Sequence, residues 1–237
     1  MKQLTLVLAI LGTAGAWVAD ILLLSVPAFR NGWWALSIFA FPAALLVLSW
    51  GGEENKKLRI AAVIVFLVGL GGWIVLRFTG QIPNIPPAVA VGDRAPYFTL
   101  KNQSGQDVRL SDKTDEGRVV LIFFRGKSCL ACRAALRGLI SRYPDFQSSR
   151  VEIVAVGPVT PEEAKSFELP FPVLSDLEFE ATKKYGLFHE KGLMGKDVPR
   201  PTTLFLDKGT RTILWMRAET DVRTRPDPEE IFGLLRQ

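Results

Sequence analysis

The chain has 237 residues, of which 48% are hydrophobic, and its formal net charge at pH 7 is +5. Two cysteines exclude a scaffold held by several disulfides, and a single histidine leaves few ligands for a zinc or haem site. The positive charge is modest and interleaved with acids. Its densest run, Lys56-Lys57-Leu58-Arg59, lies between apolar segments, which favours a signal of membrane topology over a nucleic-acid site.

Residues 1–78 are predicted to form a membrane region with about three transmembrane helices. The segments 4–29, 33–50 and 60–76 are apolar, and the second and third carry no charge over 18 and 17 residues. A helix needs about 20 apolar residues, with a range of roughly 17–25, to cross a bilayer. Several tryptophans lie near the segment ends, where aromatic belts form. A lipid membrane is therefore an expected partner of the chain.

The cationic residues of the short loops predict the orientation of this region. They divide unequally between the two sides, with Lys2, Lys56, Lys57 and Arg59 on one and Arg30 and Arg77 on the other. The positive-inside rule then predicts a cytoplasmic amino terminus and a carboxy-terminal domain on the extracytoplasmic, periplasmic-type side. A cleaved signal peptide is the alternative for the first segment, and it leaves the final placement unchanged.

A proline-rich linker, residues 79–90, is expected to separate the membrane region from a domain of residues 91–237. Pro83, Pro86 and Pro87 leave this stretch little option to be helical. From Val91 onward the composition is that of an ordinary charged globular domain. Its length, about 145 residues, is enough to bury a sizeable core.

Strand and helix signals alternate in the carboxy-terminal domain and predict an α/β fold. Short apolar runs at 119–124 and 151–156 are typical of buried parallel strands, and a hairpin is expected near the end of the domain. The further predicted elements are helices at 131–142, from 161, at 178–185 and at 228–236, and hairpin strands at 203–207 and 211–216. This order predicts a mixed sheet flanked by helices.

The chemistry of the chain is expected at Cys129 and Cys132, which are separated by two residues between a predicted strand and a predicted helix. The amino terminus of a helix carries partial positive charge, which stabilises a thiolate, and only the thiolate attacks a disulfide. The second sulfur can reach the first and resolve a mixed disulfide. Arg125, Lys127 and Arg133 add positive charge around the pair.

Other functions of the pair are less well supported by the sequence. A zinc site would need a second pair of ligands, and a dithiol that carries a soft metal ion would be expected to have Met or His nearby. A membrane scaffold whose domain only binds a partner is the non-enzymatic alternative. In the redox hypothesis the disulfide itself carries the electrons, so no organic cofactor and no metal are predicted, and an external electron donor or acceptor is required.

Four segments together resemble the peroxiredoxin-like (AhpC/TSA, redoxin) branch of the thioredoxin superfamily. They are Val91–Leu100, Phe123–Arg133, Val173–Asp176 with Ala181–Gly186, and Val198–Thr203, the second of which contains the CxxC motif. The resemblance covers residues 91–237. It implies a thioredoxin-like fold and an oxidoreductase that acts on thiols and disulfides or on peroxides.

The sequence departs from the peroxiredoxin motif at three supporting positions. When Cys132 is set on the peroxidatic cysteine of the Pro-x-x-x-Thr-x-x-Cys motif, Arg125 replaces the proline and Cys129 replaces the threonine. Pro201 stands where the family arginine is expected, and it matches instead the thioredoxin loop with a cis-proline. Arg200, beside it, can still offer positive charge to a peroxide or a thiolate.

Two enzymatic hypotheses therefore remain. In thiol–disulfide exchange Cys129, nearer the surface, is the nucleophile and Cys132 resolves the mixed disulfide. In the peroxidase hypothesis Cys132 attacks peroxide and Cys129 condenses with the resulting sulfenic acid. The changed supporting positions favour disulfide exchange, with a protein thiol or disulfide as the partner.

Three further features have weaker signals. The segment Arg223-Thr224-Arg225-Pro226 resembles a late segment of peroxiredoxin-like proteins, and a solvated charged turn is an equal alternative. His189, in a predicted loop, is a candidate general base. Asp176 and Glu178 are expected to cap the start of a helix.

Overall fold

The computed structural model of the chain describes residues 56–79, 81–83, 86–193, 195–222 and 224–234, together with the isolated positions 7, 11, 12 and 15. The chain divides into two compact units, residues 1–81 and 82–237. In the first unit, helix α1 spans Lys56–Thr79 and contains the predicted segment 60–76. The segments 4–29 and 33–50 lie outside the described residues, apart from the isolated positions. Within the described part of the chain, no helix combines the length and the apolar character that crossing a membrane would require.

The second unit is built on a seven-stranded mixed sheet. Its strands are β1 (Thr99–Lys101), β2 (Asp107–Arg109), β3 (Arg118–Phe123), β4 (Val151–Gly157), β5 (Val173–Ser175), β8 (Thr202–Leu206) and β9 (Ile213–Ala218). Their order in the sheet is β2-β1-β5-β4-β3-β8-β9. Strands β3, β4 and β5 are parallel to one another, and every other neighbouring pair is antiparallel. Strands β6 (Phe188–Leu193) and β7 (Lys196–Pro199) form a separate antiparallel hairpin.

Among the described residues of the second unit, six α-helices flank the sheet. They are α2 (Leu110–Glu116), α3 (Leu130–Gly138), α4 (Tyr143–Ser148), α5 (Pro161–Lys165), α6 (Glu180–Lys184) and α7 (Pro228–Gly233). Side chains of α3, α4, α5 and α7 join one hydrophobic cluster, and those of α2 and α6 join another. The predicted thioredoxin-like α/β fold with a mixed sheet is confirmed.

Strand β3 is buried on both faces, which explains its continuous apolar sequence. Val119, Leu121 and Phe123 belong to the cluster with α2 and α6, whereas Val120 and Ile122 belong to the cluster with α3. Alternate side chains of a strand point to opposite faces, so a strand between two layers of helices needs apolar residues at every position. Cys129 and Cys132 lie in the cluster on the α3 side.

Local signals at the helix ends agree with several predictions. Thr160 and Glu163 form a capping box at the start of α5, with Pro161 at the first turn. At the end of α6, Gly186 has a φ of +66°, and a Cβ there would lie 2.3 Å from the backbone nitrogen of Ala88. Only glycine fits this close approach, which accompanies a hydrogen bond from the Ala88 N–H to the carbonyl of Tyr185.

Some predicted elements differ in the structure. The helix predicted at 131–142 ends at Gly138, and a 3₁₀ turn at Ile140–Arg142 connects it to α4. Pro144 lies in the first turn of α4, where its missing N–H is tolerated. His189 lies in strand β6 rather than in a loop. The carboxy-terminal part of the helix predicted at 228–236 lies outside the described residues.

Asp176 is expected to be important for stability. Its buried carboxylate accepts hydrogen bonds from the backbone N–H groups of Ala181 (3.2 Å) and Thr182 (2.9 Å) and from the Thr182 hydroxyl (2.6 Å). Asp176→Ala would leave these donors without the carboxylate, so the free energy of unfolding should fall by about 2–4 kcal/mol in urea denaturation. Asp107→Ala, which removes an exposed ion pair with Lys101, is the control and should cost at most about 0.5 kcal/mol. Equal losses in the two variants would contradict the prediction.

Candidate active site

The two cysteines lie at the junction between β3 and α3. The chain leaves the sheet after Phe123, passes Gly126 at a φ of +93°, and enters α3 at Leu130. Cys129 is the residue that caps the helix, and a disulfide joins it to Cys132 with 5.3 Å between their Cα atoms. The expected strand-CxxC-helix arrangement is therefore present in the structure.

Both sulfur-bearing residues are buried, but to different degrees. The exposed fraction is 6% for Cys129 and 1% for Cys132. Leu130, which follows Cys129, is exposed to 77%. A macromolecular partner would therefore meet the Cys129 side of the disulfide first.

Backbone groups donate hydrogen bonds to both sulfurs. The N–H of Cys132 points to the Cys129 sulfur at 3.3 Å, as expected for a side chain that caps a helix. The N–H of Arg125 points to the Cys132 sulfur at 3.5 Å. After reduction these donors would face a thiolate, which is a better acceptor than a neutral disulfide sulfur.

The charged side chain of Arg225 contacts the disulfide. Its Nη2 atom lies 2.9 Å from the Cys132 sulfur and 3.4 Å from the Cys129 sulfur. Burial lowers the pKa of Arg225 to about 10, an effect that the nearby Glu219 opposes, so the guanidinium remains positive at neutral pH. From the sequence alone, a family-like segment and a solvated charged turn were equal alternatives for this residue.

The segment around Arg225 is fixed by its own hydrogen bonds. Arg225 Nη1 donates to the carbonyls of Val222 (3.1 Å) and Thr224. The Thr224 hydroxyl donates to the carboxylate of Glu219 at 2.6 Å and to the carbonyl of Asp221 at 3.1 Å. Glu219 is itself buried and forms an ion pair with Arg217 at 3.0 Å.

The supporting residues expected from the sequence occupy different places. Arg125 is buried and its guanidinium donates to the carbonyl of Gly192 in the β6–β7 hairpin, while burial lowers its pKa. Lys127 is exposed and faces Glu163 at 3.9 Å. Arg133 is half-buried. Within the described residues, no recorded contact joins the side chain of Lys127 or Arg133 to either sulfur.

The loop at Arg200 and Pro201 also differs from expectation. Arg200 donates from Nε to the carbonyl of Glu219 at 2.9 Å and from Nη2 to that of Ala218 at 3.5 Å, so these bonds orient it toward the end of β9. The peptide bond before Pro201 is trans, as are all described peptide bonds, so the cis-proline option is wrong for this structure.

His189 lies on the hairpin that Arg125 contacts. Burial lowers its pKa, and the charges of Arg125 and Arg200 act in the same direction. The imidazole is therefore neutral at pH 7. Its ring packs closely over Gly192, where a Cβ would lie 2.4 Å from Nδ1. His189 therefore packs within the β6–β7 hairpin. Among the described residues, no contact joins its ring to either sulfur.

Two spaces adjoin the CxxC loop. A cavity of about 20 Å³ behind Cys132 is lined mainly by apolar side chains, with Arg225 in its wall, and is large enough for one water-sized molecule. An open cleft of about 590 Å³ lies between residues 125–128, Glu163 and strand β7. Among the described residues, no group of three or more His, Cys, Asp or Glu side chains is placed to hold a metal ion.

Comparisons with known proteins agree with this geometry. The chain resembles the thiol-disulfide oxidoreductase ResA of Geobacillus thermodenitrificans at 31% identity over 161 residues, which are 66% of this chain and 83% of that protein. It resembles peroxiredoxin Bcp of Escherichia coli K12 at 31% identity over 110 residues, which are 44% of this chain and 69% of that protein.

A solved structure and a family model complete the comparison. The crystal structure of peroxidoxin BcpB from Mycobacterium tuberculosis matches with a TM-score of 0.54 at 24% identity, over 62% of this chain and 96% of that one. At this identity the likeness shows the fold alone. The model of the AhpC/TSA family matches residues 91–213, just over half of the 237 residues and including both cysteines and β3 to β8. The chain therefore belongs to the AhpC/TSA family, within the thioredoxin-like superfamily.

Proposed function

We propose that this protein is a thiol–disulfide oxidoreductase that uses Cys129 and Cys132 as its redox pair. The observation that carries the proposal is the disulfide between these residues at the amino terminus of α3. The relatives named thiol-disulfide oxidoreductase ResA support it. The reduced pair would supply two electrons to a partner disulfide, or the oxidised pair would accept them from a partner dithiol.

The exchange proceeds through a mixed disulfide. The thiolate of Cys129 attacks a partner disulfide, forms a new S–S bond and releases one partner thiolate. Cys132 then attacks the Cys129 sulfur, the second partner thiolate leaves, and the Cys129–Cys132 disulfide forms. Cys129 is assigned the first attack because it is the more exposed of the two. An external dithiol must reduce the pair again, since the chain has no other cysteine.

Substitution of either cysteine should abolish catalysis of insulin disulfide reduction. We expect the rate with Cys129→Ser to fall to that without protein, because no nucleophile reaches the substrate. Cys132→Ser should instead accumulate a covalent complex with the substrate, visible on a non-reducing gel. Ser141→Ala, at an exposed position, is the control and should keep the wild-type rate. Wild-type activity in Cys129→Ser would refute the proposal.

A thiol peroxidase is the second candidate function. The observation that favours it is the position of Arg225, whose Nη2 atom lies nearer to Cys132 than to Cys129. The Cys132 thiolate would attack a peroxide oxygen, forming an S–O bond as the O–O bond breaks, and the leaving hydroxide or alkoxide takes a proton from solvent to become water or an alcohol. The Cys129 thiol would then displace water from the sulfenic acid and form the disulfide. Relatives named peroxiredoxin Bcp support this candidate.

Peroxide consumption by the single-cysteine variants distinguishes the two candidates. For a disulfide exchanger, we expect no hydrogen peroxide turnover above the rate of an ordinary thiol in the wild type or in either variant. For a peroxidase, Cys129→Ser should still consume one equivalent of peroxide rapidly and acquire a sulfenic acid, which dimedone labelling detects. Cys132→Ser should lose this reaction.

We also propose that residues 1–78 hold the domain at a membrane, on the extracytoplasmic side. Three apolar sequence segments, at 4–29, 33–50 and 60–76, support this proposal. Helix α1 has several exposed apolar side chains, including Ile60, Leu67 and Val68, which lipid would cover. The loop charges favour the stated orientation.

Fractionation tests the membrane attachment. We expect the full chain to sediment with membranes and to resist extraction by alkaline carbonate, because apolar segments would be embedded in lipid. A chain of residues 82–237 is the matched control and should remain in the supernatant. Protease added to spheroplasts should digest the domain if it faces outward. Recovery of the full chain in the supernatant would contradict the attachment.

A further inference from the structure

We propose that Arg225 stabilises the thiolate of Cys132 in the reduced pair and thereby makes the disulfide a stronger oxidant. This inference rests on the proposed redox function. It adds to it the residue that controls the redox equilibrium and the direction in which that equilibrium shifts. Arg225 lies 93 positions after Cys132, in the segment between β9 and α7, and the sequence assigned it no contact with the cysteines.

The contact geometry places one guanidinium nitrogen against both reacting sulfurs. Nη2 lies 2.9 Å from the Cys132 sulfur and 3.4 Å from the Cys129 sulfur. The Cys132 sulfur also faces the N–H of Arg125 at 3.5 Å. Two donors therefore converge on Cys132, one of them charged, and this sulfur is the one better prepared to hold a negative charge.

The interaction is stronger in the reduced state than in the oxidised state. A disulfide is neutral and its sulfurs are weak acceptors, whereas a hydrogen bond between a guanidinium and a thiolate joins two full charges. Such bonds strengthen where water is excluded, and both cysteines are buried. The cost of burying Arg225 is borne in both states and largely cancels. The difference between the states favours the dithiol form.

The surroundings hold Arg225 in place regardless of the state of the sulfurs. Its Nη1 atom bonds the carbonyls of Val222 and Thr224, and Thr224 is anchored to the buried Glu219. Glu219 lowers the cost of burying the guanidinium charge. The guanidinium is therefore already positioned when the disulfide opens.

The reduction step balances with one proton at neutral pH. The disulfide takes two electrons and one proton from a partner dithiol, and the products are the Cys129 thiol and the Cys132 thiolate. The partner becomes a disulfide and releases its second proton to solvent. When the reduced pair attacks a partner disulfide, the Cys129 proton passes to Cys132, so Cys129 remains the attacking group. Below the pKa of the Cys132 thiol the thiolate takes up a proton, and the contribution of Arg225 is lost.

Redox equilibration of the full chain with glutathione tests this inference. For Arg225→Gln at pH 7, we expect the equilibrium constant to shift about tenfold toward the disulfide, which is about 30 mV for a two-electron couple. The pKa of the Cys132 thiol, read from thiolate absorbance, should rise by about one unit. Arg225→Lys keeps the charge and should fall between the wild type and Arg225→Gln. Arg137→Gln, an exposed position on α3, is the control and should match the wild type.

The pH dependence separates an electrostatic role from a structural one. The difference between wild type and Arg225→Gln should vanish below the wild-type thiol pKa, because both proteins then hold a neutral thiol. A difference that persists unchanged at low pH, or a shift below twofold at pH 7, would overturn the inference. If Arg225→Gln fails to fold, Arg225→Lys and the wild-type proton uptake decide, since uptake of two protons per disulfide at pH 7 would also overturn it. A wild-type pair that never equilibrates with glutathione would instead refute the proposed function.

Discussion

The backbone N–H groups at the start of α3 need acceptors, and the sulfur of Cys129 supplies one. This requirement places a reactive atom at the positive end of a helix and couples its chemistry to the local fold. Strand β3 precedes the helix and is packed between two layers of helices. This packing fixes the position of the backbone from which the CxxC loop begins. The rest of the site is arranged around this junction.

Two segments that are distant in sequence contact the junction between β3 and α3. The Arg125 side chain contacts Gly192, 67 residues later, and thereby joins the CxxC loop to the β6–β7 hairpin. Arg225 joins the same loop to the segment that follows β9. The first contact shapes one wall of the open cleft, and the second determines the charge beside the sulfurs. The wall of the open cleft and the charge beside the sulfurs thus depend on different parts of the chain.

The sequence predicted the parts of the fold that have a simple periodic or capping signal. The buried strands β3 and β4, the β8–β9 hairpin and the capping box at Thr160 all follow from such patterns. The position of the cysteine pair between β3 and α3 was predictable for the same reason. Strands β1 and β2 have only three residues each, too few for a periodic signal, and were not predicted.

The charged part of the site was not predictable in the same way. Arg200 was expected beside the dithiol, but its guanidinium bonds carbonyls at the end of β9. Arg225 lies near the sulfurs instead, with its Nη2 atom 2.9 Å from the Cys132 sulfur. Which arginine reaches a given sulfur depends on loop conformation, and a pattern of residue types along the chain does not encode it.

The small cavity behind Cys132 has a consequence for the redox cycle. Opening the disulfide forces the two sulfurs from bonding distance to van der Waals distance, so at least one of them must move. Both sulfurs accept hydrogen bonds, but of the two cysteines it is Cys132 that borders about 20 Å³ of space lined mainly by apolar side chains. That space lets the inner sulfur recede without displacing the core. A close-packed interior would resist this movement, so the space beside Cys132 lowers the energetic cost of opening and closing the disulfide.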